Sequence, residues 1–128
     1  MKGPNYVEGR IEIYHDGQWG TICDHYFDLN HKGANVVCRM MGYDFGLPGH
    51  EYKQKYLGNS PKMWLDDVKC EGTETDIRDC PHRDWGSHNC NTLTENSAIR
   101  CYRSGMYRNF NLHLYYRMVE MNFAMHTI

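Results

Sequence analysis

Six cysteines stand at positions 23, 38, 70, 80, 90 and 101 of a 128-residue chain. Their number is even, and every neighbouring pair is ten or more positions apart. In so short a chain this reads as an oxidised framework, made outside the reducing cytosol. The same spacing excludes the rival use of cysteine. Structural zinc sites need ligands roughly two to four residues apart to close a chelate. Here Cys80/His82 and His88/Cys90 are the close Cys-His pairs, and neither has a CxxC partner. Six cysteines permit fifteen pairings, and spacing alone selects none of them.

A domain of this size buries only about two-thirds of the surface its unfolded chain exposes, so covalent staples are valuable. Three Trp and ten Tyr make the chain too aromatic to be disordered, and a mean hydropathy of -0.75 makes it too polar for a membrane protein. A formal net charge of -2 provides no global field toward nucleic acid or anionic lipid. No apolar run approaches the roughly 20 residues that span a bilayer, so direct membrane insertion is not expected. Met1-Lys2-Gly3-Pro4-Asn5 has no apolar segment of the signal-peptide kind. The expectation is therefore a fragment of a longer exported protein, either secreted or the ectodomain of a membrane protein.

Local patterns supply the elements. Arg10-Ile11-Glu12-Ile13-Tyr14 alternates with period two, Asp16-Gly17 supplies a turn tolerant of positive φ, and Gln18 to Cys23 returns as the second arm of a hairpin. A main helix follows, capped by Asp28 or Asn30, with Ala34, Val37, Cys38 and Met41 on one face and Gly42 at its end. Residues 43–61 read as a long loop, Met63-Trp64-Leu65 with Val68 as a short buried strand, and Ala98 to Cys101 as the closing strand. A second, short helix is expected from Thr73, with Asp76 three residues on, stopping at Cys80-Pro81. Beyond residue 102 the character changes. Leu112, Tyr115, Tyr116, Val119 and Phe123 share a helical face, while Phe110, Leu112 and Leu114 alternate as a strand. Residues 103–128 thus read as an extension, either disordered or one amphipathic element.

At this point a resemblance is specific. Gly9-Arg10-Ile11-Glu12-Ile13, Trp19-Gly20-Thr21-Ile22-Cys23-Asp24, Val36-Val37-Cys38-Arg39, Trp64-Leu65-Asp66-Asp67-Val68-Lys69-Cys70, Gly72-Thr73-Glu74, Cys80-Pro81-His82 and Trp85-Gly86-Ser87-His88-Asn89-Cys90 follow one another in a characteristic order. They resemble the scavenger receptor cysteine-rich family over residues 3–102. The two positions of the fourth bridge found in eight-cysteine members fall near Tyr6 and at Tyr43, so the chain is similar to the six-cysteine, group A-like form. The resemblance implies bridges Cys23–Cys90, Cys38–Cys101 and Cys70–Cys80. It also implies an α+β fold, a curved antiparallel sheet cradling one main helix with a short second one.

Function is bounded next. No GxSxG, HExxH or P-loop motif occurs, and cysteines consumed by disulfides leave no thiolate nucleophile, so catalysis is not expected. His15, His31, His50 and His113 are read as solvated. Asp24, Asp66 and Glu95 lie close to framework cysteines in sequence, and converging carboxylates make a hard-cation site. The resemblance implies Ca²⁺ at two clusters: Asp24 with Glu95, and Asp28 with Asp66 and Asn89. Two departures stand out, His25 where the family has a second Asp, and Asn96 where Asp is common. Polyanion binding would draw on Arg10, Lys53, Lys55, Lys62, Lys69, Arg78 and Arg83, which form no run. The implied function is non-catalytic binding of extracellular polyanions, microbial surface molecules or a protein partner, with no role for nucleic acid. The second reading is a structural or targeting module of a larger secreted protease or oxidase.

Overall fold

The computed structural model describes residues 6–49, 62–92 and 94–103, and the backbone of 116–119. Six strands and one α-helix follow one another along these residues: β1 Tyr6–His15, β2 Gln18–Ile22, α1 Lys32–Met40, β3 Phe45–Pro48, β4 Met63–Leu65, β5 Ala98–Tyr102 and β6 Tyr116–Val119. The strand order is β3-β5-β1-β2-β4, with β6 on β1.

The hairpin forms as its turn chemistry requires. Pairing of His15 with Gln18 leaves a two-residue connection, and Asp16 and Gly17 take φ of +50° and +77°. Positive φ at both positions matches the right-handed twist of the flanking strands. Ile11 and Ile13 then face the core at 1% exposure each, while Tyr14 faces out. Arg10 and Glu12 occupy the opposite face of β1 and are buried as well, joined at 2.8 Å.

The sheet is mixed, which corrects the all-antiparallel expectation at one place. β4 runs parallel to β2, through Thr21↔Met63 and Ile22↔Leu65. A parallel neighbour needs a long crossover, and the chain between the two strands, containing α1 and β3, provides it. Met63, Trp64 and Leu65 are all buried, as a strand covered on both faces should be.

Helix α1 presents the expected face: Ala34, Val37, Cys38 and Met41 are at most 2% exposed. Its start differs from expectation. His31 holds the N-cap position, Asn30 accepts the Lys32 N–H one place earlier, and Asp28 belongs to a separate 3-10 turn, Phe27–Leu29. The end follows the Schellman pattern. Gly42, at φ +89°, donates to the Arg39 carbonyl, and Tyr43 donates to that of Cys38. The short second helix is reduced to a 3-10 turn, Ile77–Asp79, capped by Asp76. Glu74 folds back onto the N–H groups of Glu71 and Gly72 instead of starting a helix. Too few residues then remain before Cys80 for more than one tight turn.

Disulfides join Cys23 to Cys90, Cys38 to Cys101 and Cys70 to Cys80. The second fastens α1 to β5. Gly46 on β3 lets that contact close, because a Cβ there would overlap the Cys38 sulfur and crowd the Ala34 carbonyl.

Tyr116–Val119 pairs antiparallel with β1, from Arg10↔Val119 to Ile13↔Tyr116. Arg10 also pairs with Ala98, and Ile13 with Gly20, so β6 takes the opposite edge of β1 from β5 and β2. These four residues form a strand, whereas Phe110, with which the alternating pattern begins, lies outside the described residues. Leu112, Leu114, Tyr115 and Phe123 lie outside the described residues.

Candidate functional site

The Cys23–Cys90 bridge organises the acidic face. Its Cα atoms are 6.3 Å apart, and it holds the segment leaving β2 against the segment entering β5. Backbone bonds extend the seam. Asp24 donates to the Glu95 carbonyl at 2.8 Å, Cys23 donates to that of Leu65 at 2.8 Å, and Cys23 bridges Asn96. Three segments distant in sequence therefore meet, bringing Asp24, Asp66 and Glu95 to one place.

Asp66 is the anchor, with no exposed surface. One oxygen accepts the Asp67 N–H at 2.7 Å and the other the Asn89 N–H at 3.3 Å. His25 stands beside it, with Nδ1 3.4 Å from Asp66 Oδ1 and Nε2 3.6 Å from Glu95 Oε2. Glu95 uses its second oxygen to accept the Asn91 N–H at 2.7 Å. Asp28 is buried at 7% exposure in the Phe27–Leu29 turn, its N–H bonded to the Asp24 carbonyl at 3.1 Å. Asn89 reaches Asp66 through its backbone, and its residue is exposed. Of the residues expected from the sequence, Asp66 and Glu95 thus meet on either side of His25, while Asp24, Asp28 and Asn89 join them through backbone bonds.

The donor set decides which cations fit. Cys23, His25, Asp66 and Cys90 offer ligand atoms within 4.8 Å of one another. Both cysteines are spent in a disulfide, so no thiolate remains for a soft metal. Asp28, Asp66 and Asn89 supply hard oxygen donors, which suit Ca²⁺. On the other side the His25 imidazole takes the position between Asp66 and Glu95, and a nitrogen donor suits Ca²⁺ poorly.

Basic candidates are scattered. Arg10 requires correction: it is 5% exposed and bound to Glu12, so it offers no surface charge. Sharing a strand face at i and i+2 brings the two side chains together. Arg78 pairs with Asp76 at 2.6 Å, Arg83 lies 4.0 Å from Asp67, Lys62 rests over Trp64, and Lys69 over Tyr26. Lys53 and Lys55 lie outside the described residues.

Sequence reasoning missed two aromatic features. His15 is not simply solvated: it stacks on Trp85 at 3.7 Å and meets Trp64 edge-on at 4.7 Å. His31 is exposed as expected, and His50 and His113 lie outside the described residues. Tyr26 and Leu29 are exposed at 46% and 74% beside the acidic segment. The partners of His15 are 49 and 70 positions away in the sequence, so nothing local marked them, nor did anything local mark Tyr26.

No helix among the described residues is long and apolar enough to cross a membrane. A family model described as the scavenger receptor cysteine-rich domain matches residues 1–102. The macrophage receptor MARCO of Mus musculus is 43% identical over 101 residues, covering 79% of this chain and 18% of that protein. Lysyl oxidase homolog 3B of Danio rerio is 40% identical over 94 residues, covering 73% of this chain and 11% of that protein. The crystal structure of the SRCR domain of mouse MARCO in its dimeric form superposes with a TM-score of 0.64 at 41% identity, covering 79% of this chain and 90% of that one. The chain therefore spans less than a fifth of the length of these curated relatives.

Proposed function

The chain belongs to the scavenger receptor cysteine-rich family, in its six-cysteine form, and from that premise we propose a module that binds polyanionic or microbial surface ligands, or a protein partner, with the help of Ca²⁺. As a member it is an extracellular, non-catalytic ligand-binding domain. The observation that carries the finer reading is the convergence on Asp66, a fully buried carboxylate reached by His25, Asn89 and, through His25, Glu95. A carboxylate buried so deeply costs free energy unless a partner charge or hydrogen bonds compensate it.

Asp28, Asp66 and Asn89 would hold the ion, and Asp24 with Glu95 would form the weaker second set. Bound there, Ca²⁺ would supply positive charge that an anionic ligand can share. His25 already stands between Asp66 and Glu95, so a carboxylate in its place adds a hard donor. Calorimetric titration should find millimolar binding to the native protein, as extracellular modules commonly show. His25→Asp should bind more tightly, and Asp66→Asn should lose most of the affinity. Retention on dextran sulfate should follow the same order. A native protein that takes up no Ca²⁺, with retention unchanged by Asp66→Asn, overturns the Ca²⁺ reading.

A second reading is favoured by the 40% identity to a lysyl oxidase homolog: the module would position a larger secreted enzyme. The two readings differ in what accompanies this domain, so the full-length transcript separates them.

A further inference from the structure

Between the acidic segment and α1 lies a notch whose construction the acidic residues do not explain. The Phe27 N–H donates to the His25 carbonyl at 2.6 Å, closing a three-residue turn centred on Tyr26. Tyr26 takes φ +63° and ψ -38°, the positive-φ γ-turn conformation, which is rare and strained for any residue with a side chain. The strain does not serve to bury the ring, which is 46% exposed. It stands the ring at one wall of the notch, with the Lys69 ammonium 4.1 Å from its centroid. Leu29, 74% exposed, lines the notch as well. Phe27 and Val68, each 1% exposed, make the floor, and Gly33 lies so close that a Cβ would overlap the Phe27 ring.

The dimensions select the occupant. The notch holds about 90 Å³, the liquid volume of about three waters and far below the roughly 300 Å³ at which small-molecule pockets begin. It has room for one side chain. Its floor is apolar carbon, while its walls and rim mix carbon with polar atoms, among them Asn30 and the cation of the exposed Lys69. We propose that this notch docks a protein partner by an aliphatic side chain followed by a carboxylate, the side chain entering against Phe27 and Val68 and the carboxylate meeting Lys69. Insertion of one anchor into a small desolvated pocket, inside a rim that excludes water, is how protein interfaces concentrate their affinity. Charge complementarity at Lys69 gives the direction in which the partner lies. Backbone strain held in place by surrounding structure is characteristic of ligand clamps. The proposal deepens the binding-module reading and rests on it, but it does not need Ca²⁺.

The test uses the native chain in EDTA, so that the Ca²⁺ reading can fail without touching it. The blocked peptide acetyl-Gly-Leu-Asp-Gly-amide is titrated while amide resonances are followed, beside the Leu-Lys and Ser-Asp versions. The Leu-Asp peptide should shift Gly33, Val68 and Lys69 saturably, with at least fivefold weaker binding of the other two. Lys69→Glu should reverse the preference toward Leu-Lys. Tyr26→Gly should raise the melting temperature, since glycine adopts positive φ freely, yet weaken Leu-Asp binding at least fivefold. The proposal is overturned if the three peptides bind alike or not at all, or if Tyr26→Gly binds as the native protein does.

Discussion

The Glu74 carboxylate accepts the N–H groups of Glu71 and Gly72, each at 2.9 Å, and thereby closes the loop that follows Cys70. Burial works against its charge, but the backbone bonds from Glu71, Glu74 and Gly72 and the nearby Arg39 outweigh it, so its pKa is held below the ordinary 4.5. A depressed acid contributes stability that is fully present above the unfolded-state value and is lost as pH falls through the folded one. The native domain should therefore exceed Glu74→Gln in stability at pH 7, by about 0.5 kcal/mol, because solvent screens so exposed a charge. Urea titrations across a pH series should show that gap closing below pH 4.5. A gap that stays constant down to pH 3 would mean that the carboxylate charge contributes nothing.

Strand β1 sits at the centre of the sheet and is served on both edges. Without β6, the N–H and C=O groups of one edge from Arg10 to Ile13 would lose their partners, and unpaired edges invite pairing with other chains. A chain ending at Arg103 should be less stable by about 1 kcal/mol, the net worth of a backbone bond or two. It should also associate with itself as concentration rises. Equilibrium unfolding and light scattering measure the two effects. A truncated protein as stable and as monomeric as the full chain would show that the β6 pairing adds nothing to the domain.

Across the whole molecule, three bridges divide the stapling unequally. Two span 67 and 63 residues and one spans ten. In the chain-entropy model the long ones contribute about 4 kcal/mol each and the short one about 3. Together they match the entire stability of a typical small domain. Reduction should therefore unfold the protein, seen as loss of near-ultraviolet dichroism at neutral pH. Peptide mapping of the oxidised chain should recover Cys23–Cys90, Cys38–Cys101 and Cys70–Cys80, with no free thiol. Replacing Cys70 and Cys80 together by serine should leave a folded but weaker domain, because that bridge closes a single loop. Retention of dichroism after full reduction would put the stability in the apolar core instead.

Some of this architecture was legible because its causes are local. A two-residue Asp16-Gly17 turn admits one register, the periodicity of Ala34, Val37, Cys38 and Met41 has one helical face, and Gly42 ends that helix through its own φ. Family motifs carried the bridge pairing, which residue spacing alone left open. Other features depended on contacts between residues far apart. β4 is parallel because of where the crossover returns it, and the second helix shrank because the Glu74 side chain served a loop instead. Arg10 reads as a surface cation along the chain, yet it is buried because Glu12 shares its strand face. His25 reads as a lost ligand, and only the closing of the Cys23–Cys90 seam sets its ring between Asp66 and Glu95. Dihedral preference and periodicity act over a few residues and are written in the sequence itself. Burial and charge partners depend on distances across the fold, which exist only once the chain has closed on itself.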